Sequence, residues 1–534
     1  MTSDALSFNL ADLFESVASA VPQRWAIVAG DHSLTYAELD ERSDRLAGAL
    51  RSSGVGLGDF VGIQLPNGNE YLEVMLAAFK LRAVPVNINY RYVDQELRYL
   101  YADAGLVALV HHRDFGDAVG SALDAMPERR LVLSVGPDGD YESALAAATI
   151  ERPYPTRSGD DLYCVYTGGT TGLPKGVLWR HEDIFFAAMG GGDPYQFGMH
   201  ISRPDELTGR IPEQGLVALA APPFMHAAAH WMAFAMLFGG GTVVTLPDGR
   251  FDARTTWQLV ERERINIVVV VGDAMARPLL DVLEVDPDAF DLSSLMALGS
   301  GGALLSPSTK GRLRAVLPDL IVRDAFGSSE TGQINSQAST EDPDGAPRLQ
   351  MDERTTVLDE ELRPVEPGSG SVGRLARGGR IPLRYLGDPD KTAATFVEVD
   401  GSRWSLPGDL ATVERDGTIV VLGRASQCIN TGGEKVYPDE VEGVLKGLPE
   451  VTDVVVVGIP DETWGQAVCA VVEPHPGAQP TLEGLRDAAR SHLASYKLPR
   501  RLVLVDHVVR SPAGKPDHRW AAAVAQAELE GSAT

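Results

Sequence analysis

Cysteine is scarce in this 534-residue chain: Cys164, Cys428 and Cys469 form no CxxC pair and are odd in number. Neither a disulfide framework nor a zinc site is supported, and a reducing cytoplasm fits. Basic residues are outnumbered, 47 against 74 acidic ones, for a formal charge of −27. That balance argues against a nucleic acid or an anionic membrane surface as the main partner. Long apolar runs are also missing. The longest, 227–246, is cut by His230 and by Gly239-Gly240-Gly241, so it reads as a buried helix, a turn and a strand, with no integral membrane association. Residues 1–22 lack the basic start and apolar core of a signal peptide, and a soluble cytoplasmic protein is the expectation.

What is present is an ordinary globular composition, 44% apolar and 23% charged, on a chain too long for one hydrophobic core. From 34 to 110, helical spacing over Ala37–Leu50 and Glu70–Leu81 alternates with apolar runs at Phe60–Leu65 and Val84–Val86. Such alternation predicts a parallel sheet covered by helices, and Val217–Ala221, Thr242–Leu246 and Ile265–Val271 continue it. From about Leu362 the texture changes to short strands with turns such as Pro367-Gly368-Ser369-Gly370, a β-rich subdomain. Beyond Cys428 a helix over Pro438–Lys446, a strand over Val454–Val457 and a helix over Leu482–Leu493 predict a separate α+β unit.

Within this α/β frame the stretch Tyr166-Thr167-Gly168-Gly169-Thr170-Thr171-Gly172-Leu173-Pro174-Lys175-Gly176-Val177 has the composition of a phosphate loop. Glycines let the backbone turn and bring its N–H groups close to an anion, while threonine hydroxyls and Lys175 add donors. The alternating run Leu162–Tyr166 before it reads as a buried strand, so the loop leaves a strand end, where open α/β sheets put their ligands. It is not a Walker loop, because Lys175 follows Pro174 and precedes Gly176, so no hydroxyl follows the lysine to meet Mg²⁺.

These twelve residues resemble the first motif of the adenylate-forming superfamily, which holds acyl-CoA synthetases, peptide-synthetase adenylation domains and firefly-type luciferases. Further motifs follow in the family's order across nearly the whole chain. Asn89-Tyr90-Arg91-Tyr92, Trp179-Arg180-His181-Glu182-Asp183-Ile184 and Thr431-Gly432-Gly433-Glu434-Lys435-Val436 are most similar to actinobacterial acyl-CoA synthetases of the fatty-acid and sterol side-chain type. The resemblance implies a large N-terminal domain over 1–423, a hinge at 424–427 and a small mobile C-terminal domain over 428–534.

The resemblance also implies roles. Thr167, Gly168, Gly169, Thr170, Thr171 and Lys175 would hold the ATP phosphates. Gly301-Gly302-Ala303 would lie along the adenine and the acyl group, and Phe326-Gly327-Ser328-Ser329-Glu330 would supply an aromatic face, hydroxyls and a carboxylate for Mg²⁺. Asp409 would accept from the ribose hydroxyls with Arg424 helping, and Gly432 and Gly433 would line the path of the CoA thiol. Lys515, in Arg510-Ser511-Pro512-Ala513-Gly514-Lys515, would bridge the substrate carboxylate and the α-phosphate. His226 would act as a gate beside the acyl pocket, with a structural role as the alternative, and needs no general-base function because thiol attack on an acyl-adenylate is chiefly a matter of positioning.

The expected partners are therefore a carboxylic acid, ATP with Mg²⁺, and CoA, and a homodimer is compatible with them. The expected activity is an acid:CoA ligase for a bulky apolar acid, small Ala227-Ala228-Ala229 after His226 leaving volume for it. Two alternatives stand beside it, adenylation for a carrier protein and thioesterification alone of a supplied acyl-AMP. The second is raised by departures from the family pattern at Pro407, Gln427 and Arg384; a long cation at 384 where the family has glycine must displace neighbours or find an anionic partner.

Overall fold

The computed structural model describes residues 6–30, 32–167, 174–193, 199–303, 305–335, 347–431, 434–461, 465–510 and 514–531. The first helix-and-strand alternation forms where local signals agree. The helix Tyr36–Ser52 opens on a capping box, in which Glu38 accepts from the Thr35 N–H at 2.8 Å and Thr35 accepts from the Glu38 N–H at 3.3 Å. The strands Phe60–Gln64, Val84–Asn87, Leu106–His112 and Leu131–Val135 pair in parallel as one four-stranded sheet. Both faces of that sheet are covered, which explains why its strands read as continuous apolar runs.

An eight-stranded sheet lies next in the chain. Its inner strands, Trp25–Ala29, Thr242–Thr245, Val217–Ala220, Ile267–Val270, Ala297–Gly301 and Ile321–Ser328, are mutually parallel, and antiparallel strands close the two edges. The helices Leu10–Ala20, Tyr36–Ser52, Asn69–Lys80 and Ala227–Phe238 contribute to a shared apolar core with Tyr163 and Trp179. The run 227–246 is a helix, a glycine turn and a strand, as its interruptions predict. No helix among the described residues is long and apolar enough to cross a membrane.

A β-rich sheet built from strands between Arg348 and Arg424 follows, and a five-stranded sheet with helices Pro438–Lys446, Leu482–Ala489 and His518–Gly531 ends the chain. The α/β class matches expectation, while several boundaries move: the β-rich sheet expected from about Leu362 already includes the strands Arg348–Gln350 and Thr355–Leu358. The strand expected at Val454–Val457 runs from Val451 to Asp461, because its ladder with Gly465–Pro474 continues past the apolar stretch. The helix expected to reach Leu493 stops at Ala489. The strand Leu162–Thr167 is not in a parallel sheet. It pairs antiparallel with Lys175–Arg180 in a three-stranded sheet, with Thr167 opposite Lys175, so the phosphate-loop sequence joins the arms of a hairpin rather than leaving the end of a parallel strand.

Candidate active site

A cavity of about 1500 Å³ lies between the helix Ala227–Phe238 and the parallel strands Ile267–Val270, Ala297–Gly301 and Ile321–Ser328. Ala228, Trp231, Met232 and Met236 line it from the helix, and Val269, Gly299 and Gly301 from the sheet. The helix crosses close to the sheet there: a Cβ placed on Gly301 would lie 3.4 Å from that of Ala228. Gly302 adopts φ +87°, a conformation that favours glycine. Gly327 has a structural reason as well, since a Cβ on it would meet the Gly332 carbonyl at 2.2 Å in the strand pair closing the sheet edge.

Several candidate residues from different elements flank the residues that line this cavity, such as Pro174, Ser329 and Lys515. Lys175 heads its strand and pairs with Asp388, whose carboxylate also caps the helix Pro389–Thr395 by accepting from the Lys391 N–H at 2.9 Å. The hydrogen bond from Lys175 holds the Asp388 carboxyl below its usual range. Glu330 follows the cavity-lining Ser328 and Ser329, and its Oε1 accepts from the Tyr385 hydroxyl at 2.8 Å. The peptide chain there is pinned twice: Trp179 Nε1 donates to the Ser329 carbonyl at 3.0 Å and the Ser405 hydroxyl to the Glu330 carbonyl at 2.7 Å. Burial, with Glu330 beside it, raises the Tyr385 phenol well above its ordinary value, so it stays a donor to that carboxylate.

Asp409 and Arg424 stand opposite each other in an antiparallel pair, Arg424 Nε 2.9 Å from Asp409 Oδ1. Arg424 also donates to the Pro407 carbonyl at 2.7 Å, so proline at 407 still serves as an acceptor. Asp409 is only 6% exposed, and burial raises its carboxyl against the opposing effect of Arg424. Lys515 reaches the same place from the C-terminal unit. Dense surrounding protein and Arg424 push its ammonium below the lysine range, while Glu330 and Asp409 pull it up. The side chain nevertheless presents an exposed surface, and water in so wide a cavity offsets part of that desolvation.

The lysine is carried on a braced loop. Arg510 grips Asp453 through two hydrogen bonds of 2.6 and 2.7 Å and donates to the Gly514 carbonyl at 2.9 Å. The C-terminal unit is in turn tied to the parallel-sheet body by Arg277, which donates to the Lys446 carbonyl at 3.1 Å and to that of Thr452.

His226 lines the cavity at the start of the helix Ala227–Phe238, and its Nε2 is buried with no hydrogen-bond partner among the described residues. Burial, with Lys515 and Arg91 nearby, lowers it to about 4, so the ring is neutral at ordinary pH. Asn87 gives no local signal in sequence yet fastens two walls together. It donates to the Tyr166 and Met225 carbonyls at 2.9 and 2.7 Å and accepts from the Tyr166 N–H at 2.7 Å. Asp388, Tyr385 and Asp453 likewise join the site only through the fold.

Gly168, Gly169, Thr170, Thr171, Gly432 and Gly433 lie outside the described residues. Thr167, Gly301, Gly302, Phe326, Gly327, Ser328 and Ser329 line the cavity, and Ala303 accepts from the Ser300 hydroxyl at 2.6 Å beside it. Arg384 displaces nothing, because it lies exposed on the edge strand beside Tyr385. Gln427 lines the cavity from the short turn Ala425–Gln427.

A divalent cation could use a carboxylate oxygen of Glu330 together with phosphate oxygens, the arrangement Mg²⁺ favours. Among the described residues no triad of metal-ligating side chains surrounds Glu330. The cluster Glu15, Asp40 and Asp44 instead surrounds the Lys80 ammonium, 2.6 Å from Asp40 and 2.7 Å from Asp44.

Residues 14–382 match the AMP-binding enzyme family and residues 440–515 the AMP-binding enzyme C-terminal domain. The chain is 47% identical to a 3-oxocholest-4-en-26-oate–CoA ligase of Rhodococcus rhodochrous, covering 97% of this chain and 96% of that one. It is 46% identical to a medium/long-chain-fatty-acid–CoA/3-oxocholest-4-en-26-oate–CoA ligase of Mycobacterium tuberculosis, again over 97% and 96% of the two chains. In fold it is similar to the crystal structure of the anthranilate CoA ligase AuaEII in complex with anthranoyl-AMP, with a TM-score of 0.85, 21% identity and 98% of each chain covered.

Proposed function

The chain belongs to the AMP-binding enzyme family and is an acyl-CoA ligase, and from that premise we propose that its acid is a bulky apolar one, a sterol side-chain acid or a long fatty acid. The observation that carries this reading is the wide apolar cavity running from the convergence of Lys515, Glu330, Asp409 and Arg424 along the face of the sheet. The names of the relatives, which couple sterol and fatty acids to CoA, point the same way.

We assign the residues as follows. Thr167 and Lys175 take the polyphosphate, Lys175 exchanging Asp388 for phosphate oxygens. That pair is half-open to solvent and of the kind worth at most about 1 kcal/mol, so little opposes the exchange. Gly301, Gly302, Phe326 and Ser328 flank the base, Ser329 meets the α-phosphate, and buried Asp409, oriented by Arg424, accepts from the ribose. Glu330, oriented by Tyr385, takes Mg²⁺, which when bound neutralises phosphate charge. In the first step a substrate carboxylate oxygen attacks the α-phosphorus, acyl-AMP forms and pyrophosphate leaves. Lys515 lies between the two anions that meet and stabilises the charge that builds between them. In the second step the CoA thiol gives up its proton, sulfur attacks the acyl carbonyl and AMP leaves. The division at 424–427 lets the C-terminal unit turn between the steps, withdrawing Lys515 and presenting the segment around Gly432 and Gly433.

Thioester assays with acetate, a medium-chain acid, a long fatty acid and a polycyclic acid test the substrate class: preference for the last two is expected, and preference for acetate would overturn it. Thioester formation on a carrier protein but not on free CoA would favour the carrier alternative.

A further inference from the structure

On the strands Ile267–Val270, Ala297–Gly301 and Ile321–Ser328, the odd-numbered positions from Ile267 to Ala325 are apolar or glycine with one exception. Across the parallel strands Ile267 is in register with Ala297 and Ile321, Val269 with Gly299 and Arg323, and Gly301 with Ala325. The alternate face of these strands is spoken for: Leu298 and Val322 pack with Leu313 of the helix Pro307–Val316, and Asp324 pairs with Lys310 at 2.5 Å. The odd-numbered face therefore turns toward the cavity, whose lining includes Gly299, Ile321, Arg323 and Ala325. The Arg323 side chain is exposed there and, among the described residues, makes no ion pair or hydrogen bond. Its register neighbour is Gly299, so no side chain on the adjoining strand occupies the space beside it.

Arg323 lies four positions before Gly327, which at about 3.3 Å per residue is roughly 13 Å along the strand, away from Ser328 and Ser329. Beyond it the wall ends on Ile321, 50% exposed, and Met296, 52% exposed, so the cavity opens to water at this end. An exposed guanidinium is accessible to water. An apolar body sliding over the sheet would strip that water and leave charged donors facing hydrocarbon, which is costly unless the body brings an acceptor. Resting on the acyl-CoA ligase reading of this cavity, we propose that Arg323 is a specificity-determining residue, donating to an oxygen acceptor at the far end of the acid, roughly 13 Å or more from the carboxyl that is activated. A ring ketone on a rigid polycyclic acid has that chemistry and that separation; an unsubstituted hydrocarbon terminus does not.

The test compares kcat/KM for two polycyclic acids of one skeleton, with and without a distal ring ketone, in the wild type, Arg323→Met and Arg323→Lys. The wild type should favour the ketone acid, and Arg323→Met should shrink that preference by about 10- to 100-fold, the range for one hydrogen bond to a charged group. Arg323→Lys, which keeps the charge and loses the planar fork, should retain part of it. An unchanged ratio in Arg323→Met, or no preference in the wild type, would overturn the proposal while leaving the ligase reading intact. Failure to ligate either polycyclic acid, with good turnover of short acids, would overturn the cavity reading and the role of Arg323 together.

Discussion

Lys515→Ala separates the two half-reactions. Its ammonium is the charge that the C-terminal unit brings beside Arg424, Asp409 and Glu330. Because its surface is open to the cavity, its contribution to folding is screened, and the variant should fold. In adenylation the same charge faces two anions forced together, the carboxylate and the α-phosphate. Losing one preorganised contact of that kind costs roughly 3 to 4 kcal/mol, or about two to three orders of magnitude in rate. The loss removes one of the positive charges facing Glu330 and Asp409, although Asp409 keeps Arg424 at 2.9 Å, so the KM for ATP should rise as well. Pyrophosphate release with acid and ATP measures the first step, and thioester yield from synthetic acyl-AMP and CoA measures the second. We expect the first to fall by roughly 100- to 1000-fold and the second to stay within a few-fold of wild type. Equal losses in both, or a loss of less than about tenfold in the first, would refute a role confined to adenylation.

Asp453→Asn should reproduce a weaker version of that split, because it loosens the Arg510 grip and the Gly514 carbonyl that Arg510 holds next to Lys515. A loss of about 1 to 2 kcal/mol confined to pyrophosphate release is expected, and an equal fall in thioester formation would assign the pair a purely structural role. Burial lifts the Glu442 carboxyl above its ordinary range while it accepts from the Val456 N–H at 2.9 Å. A folded value above the unfolded one means stability is fullest below the unfolded value and falls as pH rises through the folded one. Glu442→Gln keeps an acceptor and removes the charge, so it should melt higher than wild type at about pH 8 and lose less stability between about pH 5 and 8; parallel melting curves would contradict this. His226, lowered to about 4, should contribute no inflection to the activity profile between about pH 5.5 and 8. His226→Asn should leave the shape of that profile unchanged, and the loss of an inflection near pH 6 to 7 would show a titrating ring.

The site was legible in sequence where chemistry is compressed into a few consecutive residues. Phe326-Gly327-Ser328-Ser329-Glu330 and the segment ending in Lys515 carry their donors in order, and Phe326, Gly327, Ser328, Ser329 and Lys515 line one cavity. The supporting residues were not legible, because what defines them is distance along the chain. Asp388 meets Lys175 across 213 positions and Asn87 meets Met225 across 138, and neither has a flanking pattern to distinguish it from a surface aspartate or a strand-end asparagine. The hairpin around the phosphate loop was hidden for a related reason. An apolar alternation reports burial, while the direction of the partner strand is set by Lys175–Arg180 pairing back in register. Arg384 shows the converse, since a side chain that looked disruptive from sequence simply projects from an edge strand into solvent.

The central claim, that this chain activates a bulky apolar acid as an adenylate and passes it to CoA, is tested most directly by acid-dependent exchange of labelled pyrophosphate into ATP, followed by CoA-dependent release of AMP. With a long-chain or polycyclic acid we expect exchange without CoA and a stoichiometric acyl-CoA and AMP once CoA is added. Absence of exchange with any acid, alongside acyl-CoA formation from synthetic acyl-AMP, would contradict it and mean that the adenylate is made elsewhere.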